Sequence, residues 1–103
     1  MKIPLQFKLA GIPITVEDVR TFAKEHNCIG QTFYTEQKIV LDMGVAPQEF
    51  TEQAFCHEAV HYILYMMGEH ELRNNEKFVD LFATFMHQFI NQCIPTEEDF
   101  DGH

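Results

Sequence analysis

Residues 47–68 read PQEFTEQAFCHEAVHYILYMMG, and this stretch decides the fold. It contains no internal glycine or proline, and its apolar side chains recur at a spacing that suits an α-helix. Pro47 is tolerated in a first helical turn, and Gly68 is a natural residue just beyond a helix end. The stretch therefore predicts one helix from about residue 47 to residue 67.

The sequence before this helix alternates apolar and polar residues with the period of two that is typical of β-strands. Residues 3–9 and 12–16 alternate on either side of an Ala-Gly turn signal, which predicts a β-hairpin. A second strand pair is predicted for residues 28–35, CIGQTFYT, and 38–44, KIVLDMG, joined around residues 36 and 37. Residues 17–27 are expected to form an extended, irregular passage, with a prolonged second strand or a short helix as the alternatives.

A second long helix is predicted for residues 74–95, NNEKFVDLFATFMHQFINQCIP. Asn74 and Asn75 are good N-cap residues, and Pro95 ends the helix. The apolar stripe that is expected to face the core consists of Phe78, Leu81, Phe82, Phe85 and Phe89. The acidic residues 95–103 are expected to form a frayed tail. Together the elements predict a single α+β domain, residues 1–103, in which a small antiparallel β-sheet of about four strands precedes two helices.

Composition narrows the class of protein. The 103 residues suit one domain, and 46% hydrophobic residues supply one modest core. The net charge of −9 would repel phosphate backbones and anionic lipids, so neither nucleic acid nor a membrane is a predicted partner. Three widely spaced cysteines predict no disulfide framework and favour a cytoplasmic location. Neither a signal peptide nor a membrane-spanning run is expected.

The central helix carries the motif HExxH at His57, Glu58 and His61. Residues four apart lie about 40° apart around a helix, so the two histidines point the same way and can bind one Zn²⁺. Glu58 lies about 100° further round, beside the metal, where a general base can take a proton from water. A chance match is the simpler alternative, but this occurrence falls within the strongest predicted helix.

A catalytic zinc site also needs a third protein ligand. The metzincin spacing HExxHxxGxxH fails, since residues 64 and 67 are Leu and Met. His70, Glu69 and Glu71 follow the predicted helix end and would reach the metal only through an unusual turn. The best candidate is Glu76 at the start of the second long helix, while Asp80, one turn on, can accept the free N–H of a ligating histidine. The simpler alternative is that Glu76 favours the helix dipole and Asp80 is merely solvated.

Residues 76–83, EKFVDLFA, resemble the E-x-x-[AV]-[ND]-x-F-A segment of the ImmA/IrrE-type gluzincin metallopeptidases of phages, mobile elements and bacteria. With HExxH included, the resemblance covers residues 54–83. It implies a minimal zincin-like fold, with His57, His61 and Glu76 as zinc ligands, Glu58 as general base and Asp80 as support for a ligating histidine. It also implies intracellular proteolysis, in some members of a repressor protein. The segment TFMHQF that follows departs from the usual Leu-Leu-Met-Pro-like ending of the family.

The favoured function is a zinc-dependent endopeptidase that acts on a specific intracellular protein or peptide substrate. The run KIVLDMG is a candidate edge strand for binding that substrate, and a buried strand is the equal alternative. A non-catalytic, zinc-stabilised interaction module is the alternative function, and a metal-free binder is the third. No oxyanion donor is assigned: Tyr62 and Tyr65 are expected to place their hydroxyls at the surface, and His87 to be a surface or satisfied histidine. The three cysteines are expected to be small core residues.

Overall fold

The computed structural model describes residues 1–93, which form four strands and four helices. The strands are β1 (Gln6–Leu9), β2 (Ile12–Asp18), β3 (Gly30–Phe33) and β4 (Lys38–Leu41), and the helices are α1 (Phe22–His26), α2 (Gln48–Met66), α3 (His70–Arg73) and α4 (Glu76–Cys93). The predicted α+β class, the four strands and both long helices are confirmed. The predicted tail, residues 95–103, lies outside the described residues. Within residues 1–93, no helix is both long and apolar enough to cross a membrane.

Both predicted hairpins are present. β1 pairs antiparallel with β2, and Ala10 and Gly11 between them have φ angles of 50° and 79°. Positive φ at both central residues is what a tight two-residue hairpin turn requires if it is to match the strand twist. β3 pairs antiparallel with β4 through a turn that contains Gln37 at φ 53°. The period-two pattern thus located both pairs correctly.

The sheet as a whole is mixed, so the prediction of a purely antiparallel sheet is wrong. The strand order is β1-β2-β4-β3, and β2 runs parallel to β4 with Val16 opposite Ile39. Alternation specifies pairing within each hairpin but not the direction in which two hairpins meet. Because β4 lies inside the sheet and β1 and β3 form its edges, the suggested edge role for KIVLDMG is also wrong, and its alternative, a buried strand, is confirmed.

β2 continues to Asp18 and residues 22–26 form the short helix α1, so the expectation of an irregular passage is wrong and both alternatives are right in part. Tertiary contacts decide the local structure. The Phe22 side chain is buried, and the Ala23 N–H donates to the Asp42 carboxylate at 3.1 Å. Asn27, at φ 56°, then ends the helix in the left-handed conformation. Neither contact is visible in a local pattern.

Helix α2 lies between the sheet and α4, and buried side chains occur around most of its circumference. The core is formed by Ile14, Val16, Ile39 and Leu41 of the sheet, Phe55, Cys56, Val60, Tyr62 and Leu64 of α2, and Val79 and Ala83 of α4. This arrangement places the HExxH helix at the centre of the molecule, with partners on two sides.

The three cysteines are free thiols in different environments. Cys56 is buried, as predicted, and burial together with the nearby Glu52 carboxylate raises the pKa of its thiol to about 11. Cys28 and Cys93 are exposed, so their prediction as core residues is wrong. Cys56 is therefore an inert packing residue.

Helix α4 turns the opposite face to the core from the one predicted. Its buried side chains are Val79, Ala83 and His87. Four members of the predicted core stripe are largely exposed, at 49% for Leu81, 52% for Phe82, 64% for Phe85 and 66% for Phe89. The prediction is right only for Phe78, which is half-buried and packs against the core.

The buried face of α4 differs from the predicted one because the helix carries two rows of residues with the same spacing. The inner seam consists of Glu76, Asp80, Ala83 and His87, and the outer seam consists of Phe78, Phe82, Phe85 and Phe89. The outer seam follows two residues later, about 200° around the helix, so only one seam can face α2. The inner seam does, and Phe82, Phe85 and Phe89 point away from it, whereas Phe78 is half-buried and packs against the core.

Candidate metal centre

The centre is assembled from the middle of α2 and the start of α4, which lie antiparallel. The chain leaves α2 at Gly68, at φ 73°, passes through α3 and re-enters a helix at Glu76. The Asn75 side-chain oxygen accepts the Phe78 N–H at 3.1 Å, which fixes the start of α4, as its prediction as an N-cap residue anticipated. Further along the two helices, Gln53 donates to Thr84 at 2.6 Å.

The structure brings the three predicted ligands together. The Nε2 atom of His57 lies 3.3 Å from one oxygen of Glu76, and the Nε2 atom of His61 lies 3.3 Å from the other. All three ligand atoms lie within 4.8 Å of one another. Among residues 1–93 this is the one group of histidine, cysteine or acidic side chains with such a geometry.

These three side chains could hold a metal ion, since one ligand atom from each lies within 4.8 Å of the other two. The two 3.3 Å separations join the histidines to different oxygens of Glu76, so the carboxylate spans both imidazoles. The donor set of two imidazoles and one carboxylate also suits zinc and leaves a fourth position for a reactant.

Asp80 supports His57 from the side opposite Glu76. One of its carboxylate oxygens lies 3.0 Å from His57 Nδ1. A proton on Nδ1 can be donated to that carboxylate, which leaves the Nε2 lone pair free for a metal. The Asp80 side chain is 75% exposed to solvent and contacts His57 through this one oxygen.

Glu58 points to a different partner. Its Oε1 atom accepts a hydrogen bond from the Thr32 hydroxyl of β3 at 2.8 Å. Glu58 and His57 both line an open cleft of about 470 Å³, together with Gly30 of β3 and Phe50 of α2. Glu58 is thus held by β3 and is not a member of the ligand cluster.

Close contact between β3 and α2 shapes this cleft. A Cβ atom on Gly30 would lie 2.7 Å from Leu41 Cδ2, 3.2 Å from the Val40 carbonyl oxygen and 3.4 Å from Glu58 Cγ. The two shorter of these distances are to β4, the strand that β3 pairs with, and the distance to Glu58 is that of an ordinary van der Waals contact. Sequence reasoning missed Thr32 and Gly30, because a threonine and a glycine in a short strand carry no signal of a site.

The centre carries an excess of negative charge. Glu58, Glu76 and Asp80 supply three carboxylates around two imidazoles, and Glu76 and Asp80 are 70% and 75% exposed. A divalent cation among them would offset two of these charges, which is a further reason why the residues fit a metal.

The other candidate ligand from the sequence lies elsewhere. His70 belongs to α3, where its Nδ1 atom is 3.5 Å from an Arg73 nitrogen, and it is not part of the ligand cluster. Glu69 and Glu71 flank it in the same exposed segment.

The side chains weighed as oxyanion donors have other roles. His87 is buried, with its Nε2 atom 3.0 Å from a Glu52 oxygen, which makes it the satisfied histidine that was expected. Tyr62 is buried and donates its hydroxyl to the Tyr34 carbonyl at 3.2 Å, so its prediction as a surface hydroxyl is wrong. Neither side chain is free to stabilise an oxyanion.

Three comparisons with known proteins were made for this chain. No protein-family model, curated protein or solved structure matches it. The chemistry of the side chains is therefore the basis for assigning a function.

Proposed function

We propose that the protein is a zinc-dependent endopeptidase. The observation that carries the proposal is the meeting of His57, His61 and Glu76, with ligand atoms within 4.8 Å of one another, beside a cleft that His57 and Glu58 line. Zinc held by these three residues would lower the pKa of a water molecule towards neutrality and polarise a peptide carbonyl.

Each remaining residue of the centre has a defined task in this proposal. Glu58 takes a proton from the water molecule that attacks the scissile carbonyl, and then passes it to the leaving amine. The Thr32 hydroxyl holds the Glu58 carboxylate in place through the 2.8 Å hydrogen bond. Asp80 holds the His57 ring with its Nε2 atom directed at the ligand cluster.

A protein or peptide segment is the proposed substrate. The cleft is open, and β3, which contributes Gly30 to its wall, is an edge strand of the sheet. An extended peptide can add to such an edge through backbone hydrogen bonds and so present a carbonyl to the centre. The substrate would be intracellular, because three free thiols in a small domain suit a reducing cytoplasm. Nucleic acid is an unsuitable ligand for a chain with net charge −9.

A zinc-stabilised interaction module without turnover is the alternative. Structural zinc sites are closed by four protein ligands, whereas the cluster found within residues 1–93 supplies three. A structural site also has no use for a carboxylate such as Glu58 beside the ligands. These two features favour the enzyme.

The test compares the zinc-loaded wild type with Glu58→Gln on a peptide library made by digesting a bacterial proteome, with new N-termini identified by mass spectrometry. The wild type should generate new termini in a chelator-sensitive way, and the variant should bind the same amount of zinc but generate none. Equal cleavage by both proteins would remove the base role of Glu58. Zinc binding without cleavage by the wild type would favour the interaction module.

A further inference from the structure

The outer seam of α4 is an apolar surface that has no partner among residues 1–93. Phe82, Phe85 and Phe89 are each more than half exposed, and Leu81 beside them is 49% exposed. Residues 81–93 also contain no Asp, Glu, Lys or Arg, although charged residues make up 22% of the chain. An exposed helix face with three phenylalanines and no charge is typical of an interface.

The domain cannot bury this surface by rotating α4. The inner seam on the opposite side supplies Glu76 and Asp80 to the metal centre and packs Ala83 and His87 against α2. A rotation of about 180°, which would bring the phenylalanines inward, would remove both carboxylates from the histidines. No part of residues 1–93 can therefore bury the outer seam.

We propose that a second copy of this chain covers it, with the two α4 helices packed antiparallel about a two-fold axis. The outer seam, with its steps of four, three and four residues, has the spacing of a coiled-coil seam, which packs against another helix. With the axis near Phe85, Phe82 lies opposite Phe89 of the partner subunit and the contact repeats by symmetry. Such a surface is self-complementary.

A cleft beside the seam suits this pairing. It has a volume of about 250 Å³ and is lined almost entirely by apolar side chains of α2, α3 and α4, including Phe78 and Phe82. In the antiparallel arrangement, the side chain of Phe89 of the partner subunit lies over these two residues. It can enter the cleft as a knob enters a hole.

The exposed apolar area supplies most of what a small dimer needs. Taking roughly 200 Å² for each fully exposed side chain, the four exposed residues leave roughly 450 Å² of apolar surface open on each protomer. Specific interfaces begin at about 600 Å² per partner. The remaining area can come from Met67, which is 65% exposed and lines the same cleft, and from the exposed Gln88 and Gln92 of α4.

Charge favours a second copy over a charged partner. A basic partner would be recognised by acidic side chains on the face, and residues 81–93 have none. The same face of a second copy is equally uncharged. The net charge of −9 on each copy is carried by residues outside this face. At physiological ionic strength, salt screens the repulsion between charges that are more than about 8 Å apart. This inference does not depend on the proposed function.

Sedimentation velocity of the zinc-loaded full chain at about 1–100 μM tests the proposal. The wild type should sediment as a dimer, at twice the chain mass of 12.1 kDa. Phe85→Gln should weaken self-association by about a hundredfold or more, because the side chain is lost from both protomers. Phe50→Gln is the matched control, since Phe50 is 63% exposed on α2 and lines the cleft beside the metal centre, away from the outer seam. The Phe50→Gln variant should remain dimeric.

Far-UV circular dichroism establishes that Phe85→Gln remains folded, and Phe89→Gln is the replacement variant if it does not. A wild type that stays monomeric at about 100 μM would overturn the proposal. Undiminished dimerisation of the folded seam variants would do the same.

Cys93 tests the orientation. In the antiparallel arrangement the two Cys93 residues lie about 22 Å apart along the helices, whereas a disulfide needs Cα atoms within about 7 Å. A Cys28→Ser dimer should therefore form no Cys93–Cys93 disulfide on mild oxidation. Rapid formation of that disulfide would show a parallel pair and overturn the antiparallel arrangement.

Discussion

Replacing Asp80 with alanine should weaken zinc binding without removing a ligand. The Asp80 carboxylate lies 3.0 Å from His57 Nδ1, on the far side of the ring from Glu76. Its loss frees the ring to rotate and to exchange tautomers, and it lowers the basicity of the ligating Nε2 atom. His57, His61 and Glu76 all remain, so the variant should still take up one zinc ion at saturation.

The size of the effect follows from the exposure of the carboxylate. Loss of a carboxylate that supports a metal-ligating histidine typically lowers metal affinity by about 10- to 100-fold. Asp80 is 75% exposed, so water can partly replace it and solvent screens its charge. We therefore expect the lower end of the range, about tenfold, which corresponds to about 1.4 kcal/mol.

Competition with a chromophoric zinc chelator measures this affinity directly. Glu71→Ala is the matched control, because it removes the same charge from an exposed position on α3 outside the ligand cluster. An Asp80→Ala affinity within twofold of the wild type would refute the supporting role. An equal loss in Glu71→Ala would show that net charge, and not the contact with His57, determines affinity.

Three further changes test the scaffold by chemical denaturation. Ala83→Leu places a larger side chain at a position 1% exposed between α2 and α4, and should cost about 1–3 kcal/mol of unfolding free energy while weakening zinc binding. Gly30→Ala should cost a similar amount, about 1–3 kcal/mol, because its Cβ would lie 2.7 Å from a buried Leu41 carbon. Burial alone would raise the pKa of Glu52, but the hydrogen bond from His87 and the N-terminal amine bring that pKa below its ordinary 4.5. Because the pKa of Glu52 is lower in the folded than in the unfolded chain, its ionised carboxylate stabilises the fold above pH 4.5. The free energy of unfolding should therefore fall as the pH drops below about 4.5. Glu52→Gln should make the free energy of unfolding less dependent on pH in this range.

The ligand cluster could be predicted from sequence because helical spacing fixes it. Two histidines four residues apart must share a face of α2, and Glu76 opens the next long helix after a connection long enough to reverse the chain. The juxtaposition found in the structure follows from these two facts. Thr32 and Gly30 could not be predicted, since their proximity to α2 depends on which strand lies at the sheet edge.

The error on α4 could have been detected from the sequence. A helix that directs Glu76 and Asp80 at α2 cannot also bury Phe82 and Phe85 against it, since the two seams lie on opposite sides. The prediction that the carboxylates face α2 is therefore inconsistent with the prediction that the phenylalanines face the core. The parallel direction of β4 relative to β2 could not be detected in this way. It depends on the path between the two hairpins and on the contacts of α1, which local alternation does not encode.

Anomalous scattering at the zinc edge, from crystals of protein whose zinc content is first measured by native mass spectrometry, tests the central claim most directly. The prediction is one zinc ion per chain, located at about 2.0–2.2 Å from His57, His61 and Glu76. Protein that carries no zinc after purification in its presence, or an ion bound away from these three side chains, would contradict it.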